Sequence, residues 1–179
     1  VAPERRFTGL SGYSRLLESD VDAVVIESPP FFHPGQARDA VAAGKHVYLA
    51  KPVAVDVPGC RTVEESGRQA TEKQKCFLVD FQTRTDPFYR EAVKRAQYGD
   101  IGRIVCGEAT YFCGPTWGDQ AKWLSEKPGD PEVRLRAWGL DRALSGDVIT
   151  EQNIHALDVA AWVLDAAPLH AVGTGGQKA

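Results

Sequence analysis

The chain has 179 residues, of which 43% are hydrophobic and 25% are charged, and its formal net charge is -3. These values are ordinary for a globular protein, and the weak negative charge excludes a broad electrostatic surface for nucleic acid. No apolar run approaches the roughly 20 residues that span a bilayer, so no membrane partner is expected.

The first half of the chain alternates short apolar runs with helical patterns. This rhythm is typical of βαβ units around a parallel sheet, whose crossovers should be right-handed. The run Ala23-Val24-Val25-Ile26 is apolar throughout, which predicts a strand covered on both faces. The predicted elements are a short helix near Tyr13–Leu17, strands at 23–26, 46–49 and 76–79, a helix over 34–43 that Gly44 ends, and a helix that Asp56 caps.

The second half has a weaker pattern. A helix is predicted from Asp86-Pro87 to Gly99, and residues 104–112 predict a strand of a separate sheet. Residues 113–138 resemble a long loop, which in a compact domain is usually functional or mobile. A helix over 148–164 and a possible strand from Ala171 follow.

The cysteines and histidines indicate no metal and no disulfide framework. Cys60, Cys76, Cys106 and Cys113 form no C-x-x-C pair, so we expect reduced thiols in the core and a reducing compartment. The four histidines lack the close spacing of zinc ligands, so no metal site is predicted. No apolar stretch follows the N-terminus, so no signal peptide is predicted, and the absence of Met from the chain indicates a piece of a longer protein. A cytoplasmic location is expected, and an exported parent protein is left open.

Two turns follow predicted parallel strands. Ser28-Pro29-Pro30-Phe31-Phe32-His33 follows the first strand, and Lys51-Pro52 follows the second. Ligands of open α/β sheets bind beyond the carboxyl ends of the strands, where a partly buried lysine suits proton transfer. The alternatives are an ordinary strand-to-helix turn with a surface histidine, and a solvated lysine.

The third group lies in the predicted helix over 148–164. Glu151, His155 and Asp158 stand at i, i+4 and i+7, which places them on one helix face. A carboxylate beside an imidazole can orient it as a general base. The alternative is a solvated charged face.

Together these three groups, in this order, resemble the glucose–fructose oxidoreductase/inositol dehydrogenase (Gfo/Idh/MocA) family. The resemblance implies an α/β fold: residues 1–82 would be the C-terminal part of a Rossmann-like nucleotide-binding domain. Residues 83–179 would be part of an α+β substrate and oligomerisation domain with an open sheet, and the intact protein would be a homo-oligomer.

The resemblance also implies roles for single residues. Lys51, His155 and Glu151 would be catalytic, with Glu151 in place of the family's usual aspartate. The cofactor, NAD or NADP, would contact six residues at the two turns: Ser28, Pro29, Pro30, His33, Lys51 and Pro52. Ala50 departs from the family's Glu-Lys-Pro motif, and the glycine-rich loop that binds the pyrophosphate is absent from the sequence.

The expected function is hydride transfer between NAD(P) and a hydroxyl carbon of a sugar or polyol. The isolated chain is expected to be inactive, marginally stable and prone to association, because the strand at 23–26 would have an unpaired edge. Two alternatives remain: a non-catalytic regulator that binds a sugar or nucleotide on the same fold, and an enzyme that uses nicotinamide transiently to cleave or epimerise a sugar.

Overall fold

A computed structural model describes residues 1–114 and 116–175. Short 3₁₀ helices lie at Pro3–Arg5, Pro30–Phe32, Gln82–Thr85 and Trp138–Leu140. The strands and α-helices are α1 (Gly12–Leu17), β1 (Ala23–Ile26), α2 (His33–Ala42), β2 (His46–Ala50), α3 (Val57–Glu72), β3 (Phe77–Asp80), α4 (Pro87–Tyr98), α5 (Gly118–Glu126), α6 (Pro131–Arg136), α7 (Arg142–Ser145), α8 (Asp147–Glu151) and α9 (Ile154–Leu164).

The three strands form one parallel sheet in the order β1-β2-β3. Ala23 pairs with His46 and Ile26 with Leu49, so the predicted parallel pairing of the first two strands is confirmed. The predicted α/β fold with a partial Rossmann-like sheet is confirmed with it. Because the strands are parallel, the turns after β1 and β2 lie at the same edge of the sheet.

The helices next to the sheet pack on one of its faces. Val24 and Ile26 of β1 and Val47 and Leu49 of β2 form a core with the buried residues of α2 and α3. On the opposite face Val25 is 65% exposed. The expectation that β1 is covered on both faces is therefore wrong for the described residues. Right-handed crossovers that advance in one direction across a parallel sheet place their helices on the same side.

The helix ends follow the predicted capping residues. The Asp56 side chain accepts a hydrogen bond from the backbone N–H of Gly59 at 2.7 Å, and α3 begins there. Asp86 caps α4 in the same way, and Gly99 ends it with a φ of 91°. Gly44, at a φ of 72°, follows the end of α2.

The predicted strand at 104–112 is wrong, as is the strand from Ala171 as far as residue 175. These segments have no regular secondary structure, and residues 105–112 are exposed. A strand needs a neighbouring backbone to hydrogen-bond, and neither segment pairs with another described segment. Residues 176–179, where that strand would continue, lie outside the described residues.

The four cysteines are free and exposed, so the expectation of core thiols is wrong. Cys60 lies on α3, but the buried stripe of that helix is formed by Val63, Ser66 and Ala70. Cys60 lies in the first turn of the helix, at the edge of this stripe. Partial desolvation of the Cys60 thiol raises its pKa, and the nearby Asp56 carboxylate contributes to this shift.

The chain divides into two compact units. The first comprises Val1–Phe81 and Phe112–Ile154, and the second Gln82–Tyr111 and the residues from His155 to the last one described. The predicted domains, 1–82 and 83–179, stay a prediction. No helix among the described residues is long and apolar enough to cross a membrane.

Candidate active site

His33 connects the two turns at the carboxyl edge of the sheet. Its side chain is buried, with Nδ1 lying 2.8 Å from the carbonyl oxygen of Pro52 and Nε2 lying 2.6 Å from that of Ser28. Burial lowers the pKa of His33, and the two carbonyls oppose this shift. A neutral imidazole has one N–H, so only one of these carbonyls receives a hydrogen bond at a time. Both ring nitrogens face main-chain carbonyls, so His33 connects the two turns from the interior of the protein.

Ser28 and Pro29 line a cavity of about 310 Å³ in the first unit. The Ser28 hydroxyl donates to Oε1 of Gln36 at 2.7 Å. The remaining lining includes the side chains of Tyr13, Phe32 and Trp138. Pro30 is fully buried beneath this surface, and it is not part of the cavity lining.

Lys51 and Glu151 come together in the first unit, although 100 residues separate them. Lys51 follows β2, and its Nζ lies 3.5 Å from Oε2 of Glu151 and donates a hydrogen bond to the Glu151 carbonyl. The Lys51 side chain is 21% exposed and the Glu151 side chain 5%. Burial raises the pKa of Glu151, and the Lys51 ammonium opposes that shift. Oε1 of Glu151 is buried and has no hydrogen-bond partner among the described residues.

The predicted continuous helix over 148–164 is interrupted between Glu151 and His155. Helix α8 ends at Glu151 and α9 begins at Ile154. The N–H groups of Gln152 and Asn153 both donate to the carbonyl of Val148, at 2.8 and 3.1 Å. Because Asn153 turns back to Val148, the regular i to i−4 ladder stops there. The single helix face that was expected to carry both residues is therefore not formed.

His155 belongs to the second unit, near the start of α9. Its ring is 5.3 Å from the ring of Tyr111, centroid to centroid, with 24° between the ring planes, and His155 is 8% exposed. One turn later, Asp158 accepts a bidentate hydrogen bond from Arg84 at 2.8 to 3.0 Å. The Arg84 guanidinium also lies 5.2 Å from the centre of the Trp162 ring.

The sequence predictions missed several residues of these two groups. Trp138 lies in the segment that was predicted to be a functional or mobile loop, and its position in a tryptophan-rich stretch was the available signal. Tyr111 was assigned to a strand, and nothing in its spacing pointed to His155. Arg84 gave no signal, because its partner Asp158 lies 74 residues away.

Residues 3–81 match the GFO_IDH_MocA family, described as an oxidoreductase family with an NAD-binding Rossmann fold. The match agrees with the parallel α/β sheet of the structure and supports a Rossmann fold for residues 3–81. The match confirms the predicted resemblance of this part of the chain to the Gfo/Idh/MocA family.

Two related proteins and one solved structure carry the comparison further. The chain is 28% identical to scyllo-inositol 2-dehydrogenase (NAD(+)) of Bacillus subtilis, over 91% of this chain and 41% of that protein. It is 33% identical to inositol 2-dehydrogenase 3 of Saccharopolyspora erythraea, over 87% of this chain and 38% of that protein. The crystal structure of scyllo-inositol dehydrogenase from Lactobacillus casei with bound NAD(H) and scyllo-inositol is 27% identical and superposes with a TM-score of 0.57, covering 84% of this chain and 40% of that one. The chain thus spans about two fifths of the length of these relatives.

Proposed function

We propose that the intact protein transfers a hydride between NAD or NADP and a hydroxyl-bearing carbon of a sugar or polyol. The observation that carries the proposal is the pairing of Lys51 with the buried carboxyl group of Glu151 at the carboxyl edge of the parallel sheet. The relatives named for inositol support a cyclic polyol as the first substrate class to test. A cytoplasmic homo-oligomer is part of the same proposal.

The cavity beside Ser28 suits one part of a dinucleotide. Its volume is at the lower end of the roughly 300–1,000 Å³ of ligand pockets, and its lining combines aromatic rings with a hydroxyl and an amide. Ser28, Pro29, Phe32 and Trp138 would contact the cofactor directly, while His33 and Pro52 would hold the turn that presents them. A nicotinamide cofactor, when bound, would supply the hydride chemistry.

The protein side chains handle the proton. In the oxidation direction the alcohol carbon gives up its hydrogen with two electrons, and the hydroxyl group gives up its proton. We assign His155 to take that proton and Lys51 to donate a hydrogen bond to the reacting oxygen. Glu151 then acts on Lys51: its carboxyl group and its carbonyl oxygen hold the ammonium group in place.

Steady-state turnover of the intact protein with inositols, sugars and both nicotinamide cofactors tests these roles. Lys51→Met and His155→Ala should each lower kcat by roughly 10²–10⁴-fold, the usual contribution of a positioned proton-transfer group. Glu151→Gln should cost less, because Glu151 acts through Lys51. Lys127→Met, at an exposed lysine, is the matched control and should leave kcat unchanged.

Cofactor titrations separate the residues assigned to the cofactor from those assigned to the substrate. His155→Ala should leave cofactor affinity nearly unchanged, because His155 is assigned to the substrate. Normal turnover combined with weak cofactor binding in His155→Ala would contradict the assigned roles. Unchanged turnover in both the Lys51 and the His155 variants would favour the non-catalytic regulator.

A further inference from the structure

Tyr111 and His155 form a stacked ring pair within the second unit. Their planes are 24° apart with 5.3 Å between centroids, which is an offset-stacked geometry. Tyr111 is 39% exposed, whereas His155 is 8% exposed. The tyrosine ring therefore lies between the imidazole face and solvent.

The backbone beneath the imidazole is fixed independently of this stack. Asp158, one turn after His155 on α9, is held by the bidentate hydrogen bond from Arg84, and its side chain is 10% exposed. Gln97 of α4 donates to the Trp162 carbonyl at 2.7 Å, which ties the same helix at a second point. These contacts fix the Cα position of His155. They do not limit the rotation of its ring about the side-chain bonds, which depends on the groups that contact the ring.

We propose that Tyr111 is a positioning residue for His155, which acts by stacking on the imidazole and limiting its rotation. The inference rests on the proposed function, in which His155 moves the hydroxyl proton. A stacked neighbour covers one face of the imidazole and limits the directions in which its edges, where the nitrogens lie, can point. Proton transfer depends on that direction, because the base must reach the proton within hydrogen-bond distance.

Two substitutions separate the ring from the hydroxyl group. Tyr111→Phe keeps the stack and removes the hydroxyl, so kcat should stay within about twofold of the wild type. Tyr111→Leu removes the stack, so kcat should fall by roughly 10–100-fold, the cost of a slightly misplaced catalytic group. KM and cofactor affinity should change little in either variant. Tyr98→Leu, at a tyrosine of the same unit that is 77% exposed, is the matched control and should behave like the wild type.

A second measurement does not depend on turnover. In NMR spectra of the intact protein with labelled histidine, the ring protons of His155 should be shielded by the stacked tyrosine, and His155→Ala identifies their signals. The shielding should persist in Tyr111→Phe and disappear in Tyr111→Leu. Circular dichroism melts show whether each variant is folded, and a failed Leu variant leaves the Phe variant and the shielding as tests.

The outcomes distinguish this inference from the proposed function. A loss of turnover in Tyr111→Phe equal to that in Tyr111→Leu would overturn stacking in favour of a hydroxyl role. Wild-type kcat in Tyr111→Leu, with His155→Ala inactive, would overturn the positioning role alone. Wild-type turnover in His155→Ala would overturn the proposed function, and the positioning role would fall with it.

Discussion

Replacing His33 tests whether the two turns at the edge of the sheet depend on this one side chain. His33→Leu keeps much of the side-chain volume and removes both ring nitrogens. A main-chain carbonyl, that of Ser28 or of Pro52, then loses the imidazole N–H that hydrogen-bonds to it. Leaving one buried acceptor unsatisfied costs about 1–3 kcal/mol, and this is the loss expected in the free energy of unfolding. His33→Ala should cost more, because it also leaves a cavity.

The pH dependence of this loss adds a second, independent test. Burial lowers the pKa of His33 below its ordinary value of 6.5, so the unfolded chain binds a proton more readily than the folded protein. The stability that His33 contributes is therefore full above pH 6.5 and is lost as the pH falls through the lowered pKa. The difference between wild type and His33→Leu should shrink on acidification.

Urea unfolding followed by far-ultraviolet circular dichroism measures both effects. The midpoint should fall in His33→Leu with an unchanged m value. His170→Leu is the matched control, because His170 is exposed. Surface substitutions usually change the free energy of unfolding by no more than about 0.5 kcal/mol. A His33→Leu protein whose free energy of unfolding is this close to wild type at neutral pH would refute the role of His33 in holding the two turns. A destabilisation that stays constant from neutral to acidic pH would refute the protonation argument.

Three further predictions concern other contacts. Burial raises the pKa of Glu151 above its ordinary 4.5, so its contribution to stability is full below pH 4.5 and is lost as the pH rises through the raised pKa. Urea unfolding measured across pH should show this decline in the wild type and not in Glu151→Gln. A Cβ on Gly139 would lie 2.5 Å from the Trp117 ring, so Gly139→Ala should lower stability by about 1–3 kcal/mol, with a matching drop in the thermal midpoint. Arg84→Gln should cost about 1.5–3 kcal/mol, because it leaves the mostly buried Asp158 carboxylate without its charged partner, and Asp158→Asn in the same background should add little.

The part of the fold that follows local rules was predictable from the sequence. Asp56 and Asp86 cap their helices, Gly99 ends α4, and the first two strands pair in parallel, because capping and crossover geometry depend on neighbouring residues. The strand predicted at 104–112 was wrong, because a strand also needs a pairing partner that no local pattern can supply. The coverage of β1 on both faces was wrong for a related reason: apolar residues show that a face can be buried and do not show what buries it.

In the candidate site, the positions of some residues were predictable from the sequence and their contacts were not. The sequence predicted Lys51 and Ser28 from their places after parallel strands, and the structure puts both at the carboxyl edge of the sheet. The sequence could not predict that His33 faces the protein interior. A histidine in a turn gives the same sequence pattern whether its ring contacts solvent or two carbonyl groups. The resemblance to a family identifies positions, and the contacts decide what each side chain does there.

Glu151 shows why contacts carry more weight than spacing. The interval of four residues to His155 is a helical spacing, and it pointed to a carboxylate that orients the imidazole. The helix ends between the two residues, where the N–H of Asn153 donates to the carbonyl of Val148. The Glu151 carboxyl group instead lies 3.5 Å from the Lys51 ammonium. A buried carboxyl group beside a lysine can hold the lysine ammonium in one orientation through a charge-assisted hydrogen bond. An ammonium group held in this way can donate a hydrogen bond to the reacting oxygen. Within its own unit the imidazole stacks on the ring of Tyr111, and this contact can orient it.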